Sequence, residues 1–202
     1  MRGLLIVFAA LQLVGCAVGV THSLDNVNPN IKATSGGTVE LAVQDKRTFV
    51  VSGEKPPSFI GLSRGGFGNP FDVNTTSGKA LAKDVSKVIE NALTKNGIKV
   101  LSIEISPSTS EEKAVELLAS TGNKSIFLKI ISWKSDTYTQ TTLNYNLELE
   151  ILDKTGKILA TNSVSGNDSV SGPSWTAKDK IPPLLNDKIE MLFADPKIAS
   201  KL

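Results

Sequence analysis

A regular pattern of apolar and polar residues begins at about residue 38. Val39, Leu41 and Val43 alternate with polar or small residues, and this two-residue period predicts a half-buried β-strand. The apolar run in residues 48–54 predicts a second short strand. Residues 56–71 contain PPSFIG and RGGFGNPF, whose prolines and glycines predict a long exposed loop.

Residues 77–96 have the period of an amphipathic helix. Their large apolar side chains fall on one face, and lysines and acidic residues fall on the opposite face. Thr76 or Ser77 is suited to cap the start of this helix, and Gly97 is suited to end it.

A strand at residues 99–105 and a second helix at residues 110–120 are expected next. Thr109 and Glu112 have the spacing of a capping box at the start of this helix. Gly122 follows its end.

Three consecutive strands are predicted in the next part of the chain. Residues 125–133 are apolar on both faces and predict a buried central strand. Residues 141–151 alternate between apolar and polar side chains, and residues 153–156 form a strong turn signal. Residues 157–166 then predict the returning strand, so the three strands form an antiparallel meander.

A link rich in Gly, Ser and Pro at residues 166–174 leads to a last helix at about residues 183–193. The predicted order of elements is therefore β(β)αβαβββα. This order indicates one compact α/β (α+β) domain, with a mixed sheet, the C-terminal three-strand meander and two to three packed helices.

Composition narrows the classes of function. The chain has 202 residues and a formal net charge of +2, so it lacks the basic field of a nucleic-acid-binding protein. Aromatic residues make up 5% of the chain, too few to suggest stacking platforms for bases or sugars. A single cysteine, Cys16, and a single histidine, His22, argue against a disulfide framework and a cysteine-rich zinc site. We expect no metal and no dissociable cofactor.

The N-terminus has the pattern of a secretory signal peptide. One positive charge, at Arg2, precedes an apolar stretch at residues 4–14 that ends in small residues. The stretch is shorter than the ~20 residues that a spanning helix needs. A retained anchor helix extended through residues 17–20 stays open as an alternative.

The sequence Leu13-Val14-Gly15-Cys16 resembles the bacterial lipobox. That motif implies transfer of diacylglycerol to the thiol of Cys16, cleavage before this residue and acylation of the new amino group. A thiolate is the side-chain nucleophile best suited to attack a lipid donor. The alternative is a buried apolar cysteine within an ordinary signal peptide.

A different alternative is a secreted eukaryotic protein, because three glycosylation sequons begin at Asn74, Asn123 and Asn167. With the lipobox, residues 1–15 are a signal peptide, residues 16–37 are the lipidated cysteine and a flexible tether, and residues 38–202 are a periplasmic domain. His22 is then an ordinary tether residue. Ala17 follows the cysteine where an Asp would favour the inner membrane in enterobacteria, which suggests the outer membrane.

The glycine-rich loop is the main candidate for a contact site. Its spacing matches neither common phosphate-binding motif, so an anion site is not favoured. Its phenylalanines either pack into the core or contact a partner, and a tryptophan in a later loop is a second candidate. The predicted partner-contact residues are Arg64, Gly65, Gly66, Phe67, Gly68, Phe71 and Trp175.

Catalysis by carboxylates alone would need two of them close together. Asp153 is explained by its turn, while Glu148 and Glu150 fit the solvated face of a strand. Asp136 and Asp168 are the remaining pair for such a hydrolase. Nothing in the sequence brings these two together, so we predict no enzymatic activity and no catalytic residues.

Taken together, several segments resemble the YajG-like family of bacterial outer-membrane lipoproteins. They are the lipobox, VELAVQDKR, SRGGFGNPF and the stretch from ISWKSDTY through LNYNLELEILDKTGKILATNSVSGND. The resemblance implies a location in the cell envelope and carries over no catalytic residues.

We therefore expect a lipid-anchored, non-enzymatic lipoprotein that binds or assembles with another envelope component. The alternative is an auxiliary lipoprotein of a transporter, which would bind a lipid or a small apolar ligand between its sheet and helices. Neither a nucleic acid nor a metal is expected as a partner.

Overall fold

The computed structural model describes residues 20–32, 37–171 and 176–202. Within these ranges the strands are β1 (Thr21–His22), β2 (Gly37–Asp45), β3 (Phe59–Arg64), β4 (Pro70–Thr75), β5 (Ile98–Glu104), β6 (Lys124–Thr137), β7 (Thr141–Leu152) and β8 (Ile158–Val170). The helices are α1 (Thr48–Val51), α2 (Leu81–Lys95), α3 (Glu111–Ala119), α4 (Ala177–Ala194) and α5 (Pro196–Ala199).

Strand β6 is the centre of a mixed eight-stranded sheet. Antiparallel β7 lies along one edge of β6, and β8 continues the meander beyond it. Two shorter parallel strands share the other edge of β6, one after the other. β2 pairs with residues 124–130 and β3 pairs with residues 135–137. β5 extends the sheet beyond β2, while β4 and then β1 extend it beyond β3.

Helices cover both faces of the sheet unequally. α2, α4 and α5 pack against one face and enclose the larger core, which includes Leu41, Ile89 and Ile189. α3 packs against the other face over a smaller core that includes Leu118 and Phe127. The predicted α+β domain with a C-terminal meander is confirmed.

A buried ion pair fills the junction between β2 and β3. Arg47 is fully buried, and its guanidinium donates from Nε to Asp45 Oδ1 (2.8 Å) and from Nη2 to Asp45 Oδ2 (2.6 Å). Nη2 also donates to the carbonyl of Pro57, and Nη1 donates to the carbonyls of Phe59 and Trp133. One side chain thus satisfies backbone groups that the change of strand would leave unpaired in the interior.

The prediction of a flexible tether at residues 16–37 is wrong for residues 20–32. Leu24, Val27 and Ile31 are buried in the larger core. The backbone of this segment is also tied to α4, because Asn28 N donates to Asn186 Oδ1 at 3.0 Å. Burial of three apolar side chains offsets the entropy lost on ordering the segment.

The interpretation of His22 as a tether residue is also wrong. Its side chain is buried where β1 lies against α4. Burial lowers the pKa of His22 to about 4, and the carboxylate of Asp179 opposes this change only in part. His22 is therefore neutral in the folded protein near neutral pH.

Two expectations for the segment before α2 are corrected. Residues 48–54 contain the short helix α1 instead of a strand, which illustrates that a short apolar run does not distinguish the two. Residues 56–71 are not a long loop, because β3 and the beginning of β4 form a hairpin there. Phe59 and Ile60 belong to the buried interior.

The ends of four other elements differ from the prediction. α2 begins at Leu81 without a side-chain cap, and α3 is capped by Ser110, which accepts from Lys113 N, instead of by Thr109. β8 continues to Val170, beyond its predicted end. α4 begins before its two prolines because Ala177 and Ile181 are already buried there.

Removal of the partner of Arg47 should destabilise the domain strongly. We expect Asp45→Ala to lower the free energy of unfolding by about 3–5 kcal/mol, because it leaves a buried, unpaired guanidinium. Urea denaturation measures this change. The matched control is Asp72→Ala, which breaks the partly exposed pair with Lys55 and should cost less than about 1 kcal/mol. Equal effects of the two substitutions would contradict the role given to Arg47.

Protonation of His22 should contribute to acid sensitivity. The pKa is 6.5 when the residue is exposed on unfolding and about 4 in the folded protein, so between these values the unfolded state binds more protons. Burial of the neutral imidazole therefore costs no stability at pH values above 6.5, and the free energy of unfolding decreases as the pH falls from there towards 4. Between about pH 7 and about pH 5 the loss should be about 2 kcal/mol.

The measurement is urea denaturation of the native protein and of His22→Gln at both pH values. The native protein should lose more stability on acidification than the variant does. A stability difference between the two proteins that does not change with pH would contradict the assignment.

Candidate functional site

The glycine-rich loop is the turn of the β3–β4 hairpin. Gly68 N donates to the carbonyl of Gly65 at 2.8 Å, and Gly65 N donates to the carbonyl of Asn69 at 2.9 Å. Gly68 has a φ of +82°, in the left-handed region that glycine adopts without strain. The backbone amides of Gly65 and Gly68 are therefore used within the turn, and the loop does not present them as an anion cradle.

Three aromatic side chains lie exposed around this turn, and we name them the aromatic tip: Phe67, Phe71 and Tyr138. Phe67 is 102% exposed, Tyr138 is 46% exposed and Phe71 is 42% exposed. Tyr138 belongs to the neighbouring β6–β7 turn, and its hydroxyl donates to the carbonyl of Gly66 at 3.3 Å. Two hairpins thus bring their aromatic residues together at one end of the sheet.

An ion pair fixes the base of the hairpin to the central strand. Arg64 donates from Nε and Nη2 to the two carboxylate oxygens of Asp136, at 2.8 and 2.7 Å. The hydrogen bonds from Arg64 hold the pKa of Asp136 below its usual value. Two parallel bonds give this pair a defined geometry. Arg64 is therefore committed to Asp136 and is not available as the charge of a phosphate site.

The N-terminal part of the described chain reaches the same side of the sheet. β1 runs parallel to β4, with Thr21 opposite Asn74 and His22 opposite Thr75. Val20, which precedes Thr21, therefore lies on the side that faces Pro70, at the beginning of β4. Cys16 and Trp175 fall outside the described residues, so their predicted roles stay predictions.

The carboxylates proposed for a hydrolase are on opposite faces of the sheet. Asp136 is opposite Thr142 and Asp168 is opposite Leu143, and neighbouring residues of one strand point to opposite faces. Asp168 accepts from Lys188 of α4 at 2.7 Å. Each acid is thus held in a separate ion pair, and this version of a two-carboxylate site is wrong.

Lys188 joins α4 to the meander. Its ammonium also lies 4.3 Å from the centre of the Tyr145 ring, and the Tyr145 hydroxyl donates to Asp168. Burial lowers the pKa of Lys188, but the hydrogen bonds to Asp168 and Tyr145 outweigh this effect and raise it. These side chains have a structural role, because they tie α4 to β7 and β8.

Two surface grooves lie beside α2 and α4. The groove between β1 and α4, of about 560 Å³, is lined by residues that include Thr21, Asn28 and Asp179. The groove of about 730 Å³ beside α2 has many charged lining residues: Asp25, Asp45, Lys79, Lys83, Asp84, Lys87, Glu90 and Glu104. The same groove is also lined by apolar residues that include Val43, Ile103 and Ile105, so charged and apolar surface lie side by side in it. The alternative role in binding a lipid or small apolar ligand therefore stays a prediction.

The outer edge of β8 has no pairing strand within the described residues. This strand is 13 residues long, contains no proline and has Asp168 as its one charged residue. Alternate side chains along it are exposed: Thr161, Ser163, Ser165, Asn167 and Ser169. Proteins usually protect long edges with charge, proline or a bulge. Here a bulge interrupts only the first residues of β8, near Ile158.

Two further kinds of site are absent from the described ranges. No group of three or more His, Asp or Glu side chains is arranged to hold a metal ion there. Every helix in these ranges is too short or too polar to cross a bilayer.

Comparison with known proteins identifies the fold. No protein-family model matches the chain, and no curated protein matches it in sequence. A crystal structure from Xanthomonas campestris, assigned to the family model DUF330, superposes with a TM-score of 0.53 at 11% identity. The match covers 90% of this chain and 92% of that chain.

Two lower-scoring matches are lipoprotein GNA1162 from Neisseria meningitidis and PelC from Paraburkholderia phytofirmans, crystallised as a dodecamer. The first has a TM-score of 0.33 at 11% identity and covers 80% of this chain and 100% of that one. The second has a TM-score of 0.37 at 15% identity and covers 79% and 91%. This chain therefore shares the fold of the Xanthomonas protein, and the resemblance to the YajG-like family stays a prediction.

Proposed function

We propose that this chain is a lipid-anchored lipoprotein of the bacterial outer membrane. Cys16 carries diacylglycerol and an N-acyl chain, and the domain faces the periplasm. There the domain binds or assembles with another envelope component and performs no catalysis. The observation that carries the binding role is the long outer edge of β8, which no strand of the described ranges covers.

The position of the first described strand supports anchoring close to the bilayer. Four residue steps separate Cys16 from Val20, and such a chain spans at most about 14 Å. A domain held by so short a link stays beside the membrane, where its effective concentration for other anchored proteins is raised. Two or more acyl chains are enough for stable anchoring.

The edge of β8 supports recognition by strand addition. An extended segment of a partner would pair with the outward-facing N–H and C=O groups, and the alternating small polar side chains leave room for it. The one charge on β8, Asp168, is already paired with Lys188, so approach of another strand meets no unpaired charge from it. A second copy of this chain and a different envelope protein are both partners of the required kind.

Loss of the thiol should release the protein from the membrane without unfolding it. We expect Cys16→Ser to abolish lipid labelling and recovery in the outer-membrane fraction after a carbonate wash. The circular dichroism of the purified variant should remain that of the native domain, because the described core begins at Leu24. A variant that still fractionates with the outer membrane would contradict the anchor.

A photo-crosslinking amino acid placed on β8 should capture the partner in intact cells. Thr161 and Ser165 are exposed along the unpaired edge and are the test positions. Lys87, exposed on α2 and away from this edge, is the control. We expect one abundant adduct from the two test positions and none from Lys87. Adducts of equal yield from all three positions would contradict recognition through β8.

A further inference from the structure

We propose that the aromatic tip lies in the headgroup layer of the membrane that Cys16 anchors. Phe67, Phe71 and Tyr138 then form a second, non-covalent contact with lipid, which orients the domain. This inference rests on the proposed lipid anchor and adds to it a defined surface of the folded domain.

The exposure of the tip is the first step of the argument. The phenyl ring of Phe67 is fully exposed at the end of a turn, so packing within the domain does not account for it. Aromatic side chains combine apolar surface with a polarisable ring, and tyrosine adds a hydroxyl that hydrogen-bonds in a wet layer. Tyrosine is enriched at the boundary between hydrocarbon and water, and phenylalanine is common on the lipid-facing side of helices that lie in the membrane interface.

The absence of unpaired charge around the tip is the second step. Residues 65–71 and residues 137–142 contain no charged side chain. The nearest charges on the two hairpins are paired, Arg64 with Asp136 and Asp72 with Lys55. The opposite end of the meander differs, because its turn carries Asp153, Lys154 and Lys157. Approach to a lipid surface therefore costs least at the tip end.

The direction in which β1 runs is the third step of the argument. Because β1 is parallel to β4, Val20 lies towards the Pro70 end of β4, where the aromatic tip begins. Asn74 and Pro70 are separated by about 13 Å along the strand. The link from Val20 to Cys16 spans at most about 14 Å, so an acylated Cys16 can reach the level of the tip. The two contacts with lipid are thus geometrically compatible.

The rigidity of the tip is the fourth step. The turn is closed by hydrogen bonds at Gly65 and Gly68, and the two hairpins are joined by Arg64 with Asp136 and by Tyr138 with Gly66. The side chains are therefore presented by an ordered scaffold, and contact with lipid does not require a loop to be ordered first.

Fluorescence of an indole introduced at position 67 tests the proposal. Full-length lipidated Phe67→Trp, in a Trp175→Phe background, is reconstituted in vesicles of phosphatidylethanolamine and phosphatidylglycerol. Part of the phosphatidylethanolamine carries brominated acyl chains, which quench nearby indole. Phe67 is fully exposed, so its replacement leaves the fold intact, and buried Trp133 is the internal reference. The matched control is Lys154→Trp, in the turn at the other end of the meander.

We expect the indole at position 67 to lose emission in the brominated vesicles and to shift to shorter wavelength, while the indole at position 154 does neither. Flotation and intact-mass analysis of the same samples establish whether Cys16 is lipidated. Emission at position 67 that is unquenched in lipidated, co-floating protein would overturn the tip contact alone. It would leave the tip in water, where a protein partner could reach it. Absence of lipid on Cys16 would overturn the anchor together with this inference.

Discussion

The buried pair of Arg47 and Asp45 is the interaction on which the sheet depends. On the edge of β6 opposite β7, neither parallel neighbour pairs along the whole strand. β2 separates from β6 after Ile130, and β3 pairs with β6 from Ser135 onwards. The polar backbone groups at that junction are in the protein interior, where an unsatisfied group costs about 1–3 kcal/mol. The guanidinium of Arg47 has the five donors needed to serve a carboxylate and several carbonyls at once.

This junction has a consequence for the whole molecule, because it divides the domain along β6. The half that holds β2 and β5 packs against α2 and α3. The half that holds β3, β4 and β1 projects two hairpins and carries the N-terminal edge. The aromatic tip, the ion pair of Arg64 with Asp136 and the end of the chain nearest Cys16 therefore lie on one side. In the orientation that we propose for the aromatic tip, that side faces the bilayer, and the edge of β8 stands along the membrane normal, open to partners.

The sequence was sufficient for the parts of the fold that local periodicity controls. The alternation in residues 141–151 predicted the meander, and the helical period predicted α2 and α3. The buried segment before β2 was missed, although Leu24, Val27 and Ile31 recur at three- and four-residue spacing, because its many Asn and Ser residues outweighed that signal. The role of Arg47 could not be predicted, since the carbonyls of Pro57 and Trp133 are brought to it only by the tertiary fold. The sequence singled out Phe67 and Phe71, but the partnership with Tyr138 also depends on the packing of two hairpins.

The orientation of the domain on the bilayer tests the central claim most directly. Acylation consumes the chain's single native cysteine in the proposed protein, so a cysteine introduced at Thr139, Ser163 or Lys154 is the one free thiol for a fluorescent donor. These positions mark the tip end, the middle and the far end of a meander roughly 40 Å long. Energy transfer to acceptor-labelled headgroups in vesicles should be greatest from position 139, intermediate from position 163 and smallest from position 154. Equal transfer from the three positions, or the reverse order, would contradict a sheet that stands with its aromatic tip on the membrane.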